Sequence, residues 1–177
     1  MSNILVVLGS AREGRVAEKV YDYVKADIDA REGVNTVLGD LKEINLPFYA
    51  HAQAPASPDY EPTDERVIAW GKMVADADGV VFITPEYNHT ISAIEKNALD
   101  SLLSEWADKP AAVVAYGWTG GSLAVQTLDE VLPHLKTKYD PNAAAKLGFM
   151  KDLNPDGSLL NAESVAAQIK TAIDSIV

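Results

Sequence analysis

Asp78-Gly-Val-Val-Phe-Ile83 runs into Thr84-Pro-Glu-Tyr-Asn-His89, and Ser92-Ala-Ile-Glu-Lys-Asn-Ala-Leu-Asp-Ser-Leu-Leu103 follows. The first six residues are largely apolar and β-branched, which reads as a buried strand. The last twelve carry helical spacing. Between them lies a loop of Pro and Asn, and a strand that ends in such a loop before a helix is where open α/β proteins place their ligands.

Working outward, the same strand–loop–helix pattern recurs on either side. Asn3-Ile-Leu-Val-Val-Leu8 is a continuous apolar run, typical of a strand covered on both faces. It leads through a loop bracketed by Gly9 and Gly14 to a helix whose inward positions are Val16, Val20, Val24 and Ile28, ending near Gly33. Val34–Leu41 is a second strand. Leu46–Pro62 is irregular and proline-rich, with Pro47, Pro55, Pro58 and Pro62, and reads as a long connection within one unit. Thr63 starts a helix with Val67, Trp70, Val74 and Ala77 on one stripe. After the central strand and the helix Ser92–Trp106 come the strand Ala111–Tyr116 and the loop Gly117-Trp-Thr-Gly-Gly121. A helix with Ala124, Leu128, Val131, Leu132 and Leu135, a fifth strand over Ala143–Met150 and a closing helix over Ala162–Val177 complete the chain.

Five β-α units call for a parallel sheet with helices on both faces. In the strand order 2-1-3-4-5 the first and third strands are neighbours at the topological switch point. Their loops, Gly9–Arg15 and Thr84–His89, then share one crevice.

Bulk properties narrow the function. With 177 residues and 47% hydrophobic content the chain is expected to form a single domain, 1–177. Its formal net charge of −11 disfavours nucleic acid and anionic membranes as partners. No cysteine is present, which excludes disulfides, thiol nucleophiles and thiolate metal sites. His51, His89 and His134 are scattered, so no metal site is expected. The opening residues carry no basic leader, no apolar run approaches a membrane span, and a cytoplasmic location is expected.

The two loops carry the chemistry. Ser10, Arg12 and Arg15, with the backbone N–H groups at the start of the following helix, suit a phosphate. Ala11 breaks the dinucleotide pattern G-x-G-x-x-G, and Arg15-Val16 stands where the nucleotide P-loop needs Lys-Ser/Thr. An ordinary turn with solvated arginines is the alternative reading. The loop Pro85–Asn88 suits a planar heteroaromatic: Pro85 stiffens it, Asn88 tolerates unusual dihedrals, and Tyr87 can cover apolar surface. A plain chain reversal with Tyr87 packed on a neighbour is the alternative there. Gly117, Gly120 and Gly121 allow the backbone to approach the same ligand, with Trp118 either lining the pocket or half buried. Glu86 and Asp100 read as loop anchor and helix surface, Lys96 as a salt-bridging helix residue, and His89 as a solvent-facing loop residue, with substrate contact beside the ring loop as its alternative.

Gly9-Ser10-x-Arg12, Pro85-Glu86-Tyr87-Asn88 leading to Lys96-Asn97-Ala98-Leu99-Asp100, and Lys109-Pro110 before a strand and a Gly-rich loop resemble the NAD(P)H-dependent FMN reductase family. That family includes quinone, azo-dye and chromate reductases of flavodoxin-like fold. The resemblance runs from Ile4 to the last helix. It implies an α/β three-layer sandwich with a five-stranded parallel sheet, FMN as cofactor, and NADPH or NADH as electron donor. The FMN phosphate is placed on Ser10, Arg12 and the helix start at Arg15, Val16 and Ala17. The isoalloxazine ring is placed against Pro85, Glu86, Tyr87 and Asn88, with Gly117, Trp118, Gly120 and Gly121 nearby. Many members have Ser at position 15 and Asn or a hydroxyl residue at 17. Here Arg15 is expected to restore a phosphate contact, and Ala17 to offer only its N–H.

The implied chemistry is hydride transfer from the nicotinamide to the flavin and on to a small-molecule acceptor: free flavin, quinone, azo compound or metal oxyanion. The flavin carries it, so no side chain is assigned a catalytic role. A flavin-binding electron carrier or sensor without NAD(P)H oxidation is the alternative function. A receiver-type signalling domain is rejected, because Gly9-Ser10 and Thr84-Pro85 stand where its acidic residues are needed. A cofactor-free interaction module is disfavoured by the intact loops. The helix Ser92–Trp106 is apolar on more than one side, which together with the resemblance suggests a homodimer or dimer of dimers (homotetramer). Burial by the 46–62 segment is the other account of that helix.

Overall fold

The computed structural model describes residues 1–177. The chain runs β1 (Ser2–Leu8), α1 (Ala17–Asp29), β2 (Val34–Asp40), α2 (Leu41–Ile44), α3 (Glu65–Asp76), β3 (Gly79–Pro85), α4 (Ala93–Asp100) and β4 (Pro110–Gly117). It continues with α5 (Ser122–His134), β5 (Lys138–Tyr139), a 3-10 turn (Pro141–Ala143), β6 (Ala145–Gly148) and α6 (Ala162–Asp174). All strand pairs are parallel, in the order β2-β1-β3-β4-β5, with β6 also on β4.

The fifth position of the sheet differs from the expected continuous strand. β5 pairs with Pro110 and Ala111 at the start of β4, while β6 pairs with Val114–Gly117 at its end. Both lie on the β4 edge away from β3, so one lane of the sheet is filled in two pieces. Pro141, which has no N–H to donate, and the Asp140 side chain, which accepts from Asn142 N at 2.9 Å, turn the chain between them.

Side-chain alternation splits the core between the two faces of the sheet. Ile4, Val6, Leu8, Val81, Ile83, Ala112 and Val114 meet α1 (Val20, Val24, Ile28) and α6 (Val165, Ile169, Ile173). Leu5, Val7, Val80, Phe82, Val113 and Ala115 meet α3, α4 and α5. Right-handed crossovers explain the division. The path β1 to β2 moves one way across the sheet and puts α1 on one face. The path β2 to β3 to β4 to β5 moves the other way and puts α3, α4 and α5 on the other.

α4 ends at Asp100, earlier than its apolar spacing suggests. Leu102 and Trp106 are still buried, but they reach the core from turns; the Trp106 ring lies 5.9 Å from Trp70 and 5.8 Å from Phe82. The irregular 46–62 segment covers this region. Asn97 holds it by accepting from Tyr49 N at 2.8 Å and donating to Pro47 O at 2.9 Å, and Tyr60 OH donates to Ser101 O at 2.9 Å. Most of the apolar excess of residues 92–106 is therefore satisfied within the chain: Ala98, Leu99, Leu102 and Trp106 are buried, and Ile94 and Leu103 pack on the same core. Self-coverage, rather than an exposed interface, accounts for that helix.

Candidate functional site: a cleft at the switch point

The register aligns Leu8 with Ile83 and Pro85 with Tyr116, so β1, β3 and β4 end together. The loops they release enclose a cleft of about 340 Å³, lined by Ser10, Arg12, Gly14, Arg15, Val16, Pro85, Glu86, Tyr87, Tyr116, Gly117, Trp118, Phe149 and Pro155. That volume falls within the usual range for small-molecule sites.

The first loop is held tightly at its start. Gly9 N donates to Ile83 O at 3.0 Å, and Ser92 Oγ donates to Gly9 O. Ser10 is buried, and its hydroxyl meets that of Tyr87 at 2.6 Å, joining the two loops directly. Downstream, α1 begins at Ala17 with Val16 as N-cap and no side-chain acceptor. The other five helices have acceptors: Asp40 for α2, Asp64 for α3, Ser92 for α4, Asn161 for α6, and the Glu86 carboxylate for Leu123 N in α5. The first-turn donors of α1 are thus the ones left for an external anion. Arg12, exposed on the cleft wall, takes part in none of the chain's salt bridges.

Arg15 departs from expectation. Its guanidinium lines the cleft but is clamped by Asp40, donating to Oδ1 at 2.8 Å and also to Oδ2, with a further bond to Ser10 O at 2.6 Å. The Asp40 hydrogen bond raises the Arg15 pKa. Burial alone would push Asp40 up, yet the bond and charge of Arg15, with backbone donors of Lys42 and Glu43, hold its carboxyl below the usual range. Arg15 shapes the loop; it does not present a free charge. Ala17 is fully buried against the core, so it can offer only its N–H.

The second loop is a two-residue hairpin. Tyr87 N donates to Thr90 O at 2.9 Å and Thr90 N to Tyr87 O at 3.1 Å. Asn88 (φ 48°) and His89 (φ 68°), both exposed, occupy its centre in the left-handed region. Two such residues match a type I′ turn, in which Asn is favoured. Asn88 therefore sets the turn and is not on the cleft wall. Glu86 reaches the third loop: its Oε2 accepts from Thr119 Oγ1 at 2.6 Å and from Leu123 N at 3.0 Å. Gly121, at φ 74°, caps α5; a Cβ there would stand 2.6 Å from the Ala115 Cβ. Gly120 faces the Lys146 backbone. Lys96 pairs with Asp100 at 2.7 Å on the exposed side of α4.

An aromatic wall completes the cleft. Phe149 lies 6.2 Å from Tyr116 and 5.5 Å from Trp118, which is 71% exposed at the rim. Burial, then the nearby Tyr87, raises the Tyr116 pKa, so its phenol stays protonated at neutral pH. Sequence reasoning did not assign Tyr116, Phe149 or Pro155 to the site, and took Gly14 only as the end of the first loop. Tyr116 had a readable signal, since it is the penultimate residue of a strand whose loop was already implicated.

The donors of the cleft match the two ends of a flavin mononucleotide. One end offers uncapped helix N–H groups, the Ser10 hydroxyl and Arg12, which suit a phosphate. The other offers loop backbone and aromatic surface, which suit a flat ring. The residues fit the group, and fold and site together define a flavin-nucleotide-binding protein of flavodoxin-like architecture.

Comparisons with known proteins lead to the same class. The model of the family described as NADPH-dependent FMN reductase matches residues 2–149. An NAD(P)H-dependent FMN reductase of Saccharomyces cerevisiae is 33% identical over 183 residues, covering 97% of this chain and 91% of the yeast protein. Another of that description, from Schizosaccharomyces pombe, is 35% identical over 152 residues, covering 80% of this chain and 71% of its own. Among solved structures, the flavoenzyme NAD(P)H:(acceptor) oxidoreductase of Paracoccus denitrificans superposes with a TM-score of 0.77 at 25% identity, covering 99% of this chain and 97% of its own. The chain belongs to the NADPH-dependent FMN reductase family. It is an oxidoreductase that uses FMN and a reduced nicotinamide nucleotide.

Proposed function

We propose that residues 1–177 act as a single flavin-binding domain that passes electrons from NADPH or NADH, through FMN held in this cleft, to a small-molecule acceptor. The acceptor class is a free flavin, quinone, azo compound or metal oxyanion. When bound, FMN supplies the hydride chemistry. Ser10, Arg12 and the backbone of Val16 and Ala17 hold its phosphate. Arg15 fixes the loop through Asp40, so the phosphate donors are positioned before the ligand arrives. Pro85, Glu86 and Tyr87 form one border of the ring site, and Gly117 and Trp118 the other; Asn88, Gly120 and Gly121 shape the turns behind those borders and do not line the cleft. Glu86 ties those borders together and prevents them from spreading. The Tyr116 phenol, kept protonated by burial, presents a donor at the cleft wall and adds no negative charge.

The observation that carries this reading is the meeting of an uncapped α1 N-terminus with the Pro85–Tyr87 loop across one cleft. An absorbance spectrum of FMN-supplemented protein, before and after anaerobic NADPH, tests it. A protein-bound flavin band that bleaches supports the reductase. Bound flavin that stays oxidised would indicate an electron carrier or sensor, and no retained flavin would refute the assignment of both loops.

A homodimer or dimer of dimers is part of the proposal, supported by Phe48 (76% exposed), Trp118 and Met150 (65% exposed), large apolar side chains left open in the protomer. Light scattering after size exclusion tests it, and a monomer would overturn it. No helix is long and apolar enough to cross a membrane, and a cytoplasmic location is proposed.

A further inference from the structure

Two carboxylates of the chain are fully buried, and they are treated differently. Asp152 is satisfied on both oxygens: Oδ2 accepts from Gly148 N at 2.9 Å, and Oδ1 from Ser164 Oγ at 2.6 Å and Gln168 Nε2 at 3.3 Å. Glu95 has one partner. Thr84 Oγ1 donates to its Oε1 at 2.6 Å, and its Oε2 has none.

The sequence Ser92-Ala-Ile-Glu95 is a capping box, in which the Glu ordinarily turns back to the backbone N–H of the cap. Here Ser92 does accept from Glu95 N at 3.2 Å, but the Glu95 side chain turns inward, between the ends of β1 and β3. It lies directly behind the phosphate loop: a Cβ built on Gly9 would stand 2.4 Å from Glu95 Oε2 and 2.9 Å from its Cδ. Ser92 also holds Gly9 O. The first turn of α4 is therefore fastened to Gly9, next to Ser10, and to Thr84, next to Pro85.

No cation compensates a charge there. Tyr116 from β4 and Tyr87 from the hairpin are phenols, Arg15 from the first loop is neutralised by Asp40 of β2, and on α4 itself Lys96 pairs outward with Asp100. Burial pushes Glu95 up to about 8, with the Thr84 hydrogen bond opposing it.

We propose that Glu95 is a positioning residue that couples FMN binding to a proton: the neutral acid permits the phosphate to dock, and its ionisation expels it. This rests on the assignment of the cleft to FMN. An ionised Glu95 would place a buried, unpaired negative charge behind Gly9 and Ser10, in repulsion with the phosphate through low-dielectric protein. It would also draw donors or water inward and displace Gly9 and Thr84. A ligand that disfavours the carboxylate binds the protonated form more tightly, so its affinity falls as the proton is released to solvent.

FMN titrations of the full chain by flavin fluorescence, from about pH 7 to 9.5, test this; the second ionisation of a phosphate, near 6, is then already complete. Riboflavin, the same ring without phosphate, serves as the second probe. The FMN Kd is expected to be flat near neutrality and to rise about tenfold per pH unit above about 8. Glu95→Gln removes the rise, and Thr84→Val shifts it upward, because it deletes the bond that favours the charged form. Riboflavin follows pH more weakly. Wild-type and Glu95→Gln curves that superimpose, a Thr84→Val curve that does not move, or riboflavin as pH-sensitive as FMN would overturn the coupling while leaving FMN binding intact. Failure of FMN to bind at neutral pH would overturn the assignment of the cleft, and this inference with it.

Discussion

Glu95 should leave a signature in stability without any ligand. Its folded-state pKa of about 8 lies above the unperturbed 4.5, because burial penalises the charge. Between those values the folded chain holds a proton that the unfolded chain has released, so stability falls as pH rises. The slope is about 1.4 kcal/mol per pH unit, and the whole window corresponds to a loss of about 5 kcal/mol, a large share of the stability of an ordinary domain. Asp64 and Asp156, each lowered to about 2 by its hydrogen bonds, act in the opposite sense and only at lower pH. Urea unfolding of flavin-free wild type and Glu95→Gln at about pH 5.5, 6.5 and 7.5 isolates the effect, since both proteins share every other titration. Wild type should lose about 3 kcal/mol relative to the variant across that range. Curves that stay parallel within about 0.5 kcal/mol would refute a neutral buried acid at this position.

Three further outcomes follow from the loops. Glu86→Ala removes the cap on Leu123 N and the tie to Thr119, and should cost about 1–2 kcal/mol in thermal unfolding while weakening FMN binding. Asp40→Asn leaves the nearly buried Arg15 with only the exposed Glu18, 3.1 Å from its Nε, as counter-charge; a loss of about 2–3 kcal/mol by urea titration is expected, and no loss would show the Asp40 pair to be dispensable. His89→Gly, which gives the type I′ turn its favoured Asn-Gly centre, should raise stability by about 0.5–1 kcal/mol, and a lower Tm would argue that His89 makes contacts beyond the turn.

The strands and the faces of the helices were legible because burial on both sides of a parallel sheet demands unbroken apolar runs, and its covering helices demand a stripe. Val20, Val24 and Ile28, read by spacing, are all fully buried. Boundaries were less legible where composition carries no period. Lys138–Tyr139 is too short to show one, and Leu102, Leu103 and Trp106 extend the helical spacing of α4 although the chain has already left the helix. The cleft was legible because strand order alone brings two loops together. Its aromatic wall was less so, since Phe149 follows β6, whose alanine-rich beginning obscured where the fifth lane lies against β4.

Arg15 and Glu95 show why a side chain's role is harder to read than its address. Arg15 stood in a phosphate-like loop, but its fate was decided by Asp40, which is 25 positions away. Once the order 2-1-3 is accepted, that partner follows: the last residue of β2 must lie beside the last residue of β1, and the register does align Asp40 with Leu8. A carboxylate at that strand end competes with any ligand for a nearby guanidinium. Glu95 had no such trail. In Ser92-x-x-Glu95 a surface capping role satisfies every local rule, and only the close approach of Gly9 and Thr84 reveals that the side chain turns inward instead. An acid buried with one oxygen unpaired costs the fold stability that packing does not return, and protonation is what limits that cost. Proton-coupled control of the adjoining phosphate loop is a role that an apolar residue at position 95 could not supply.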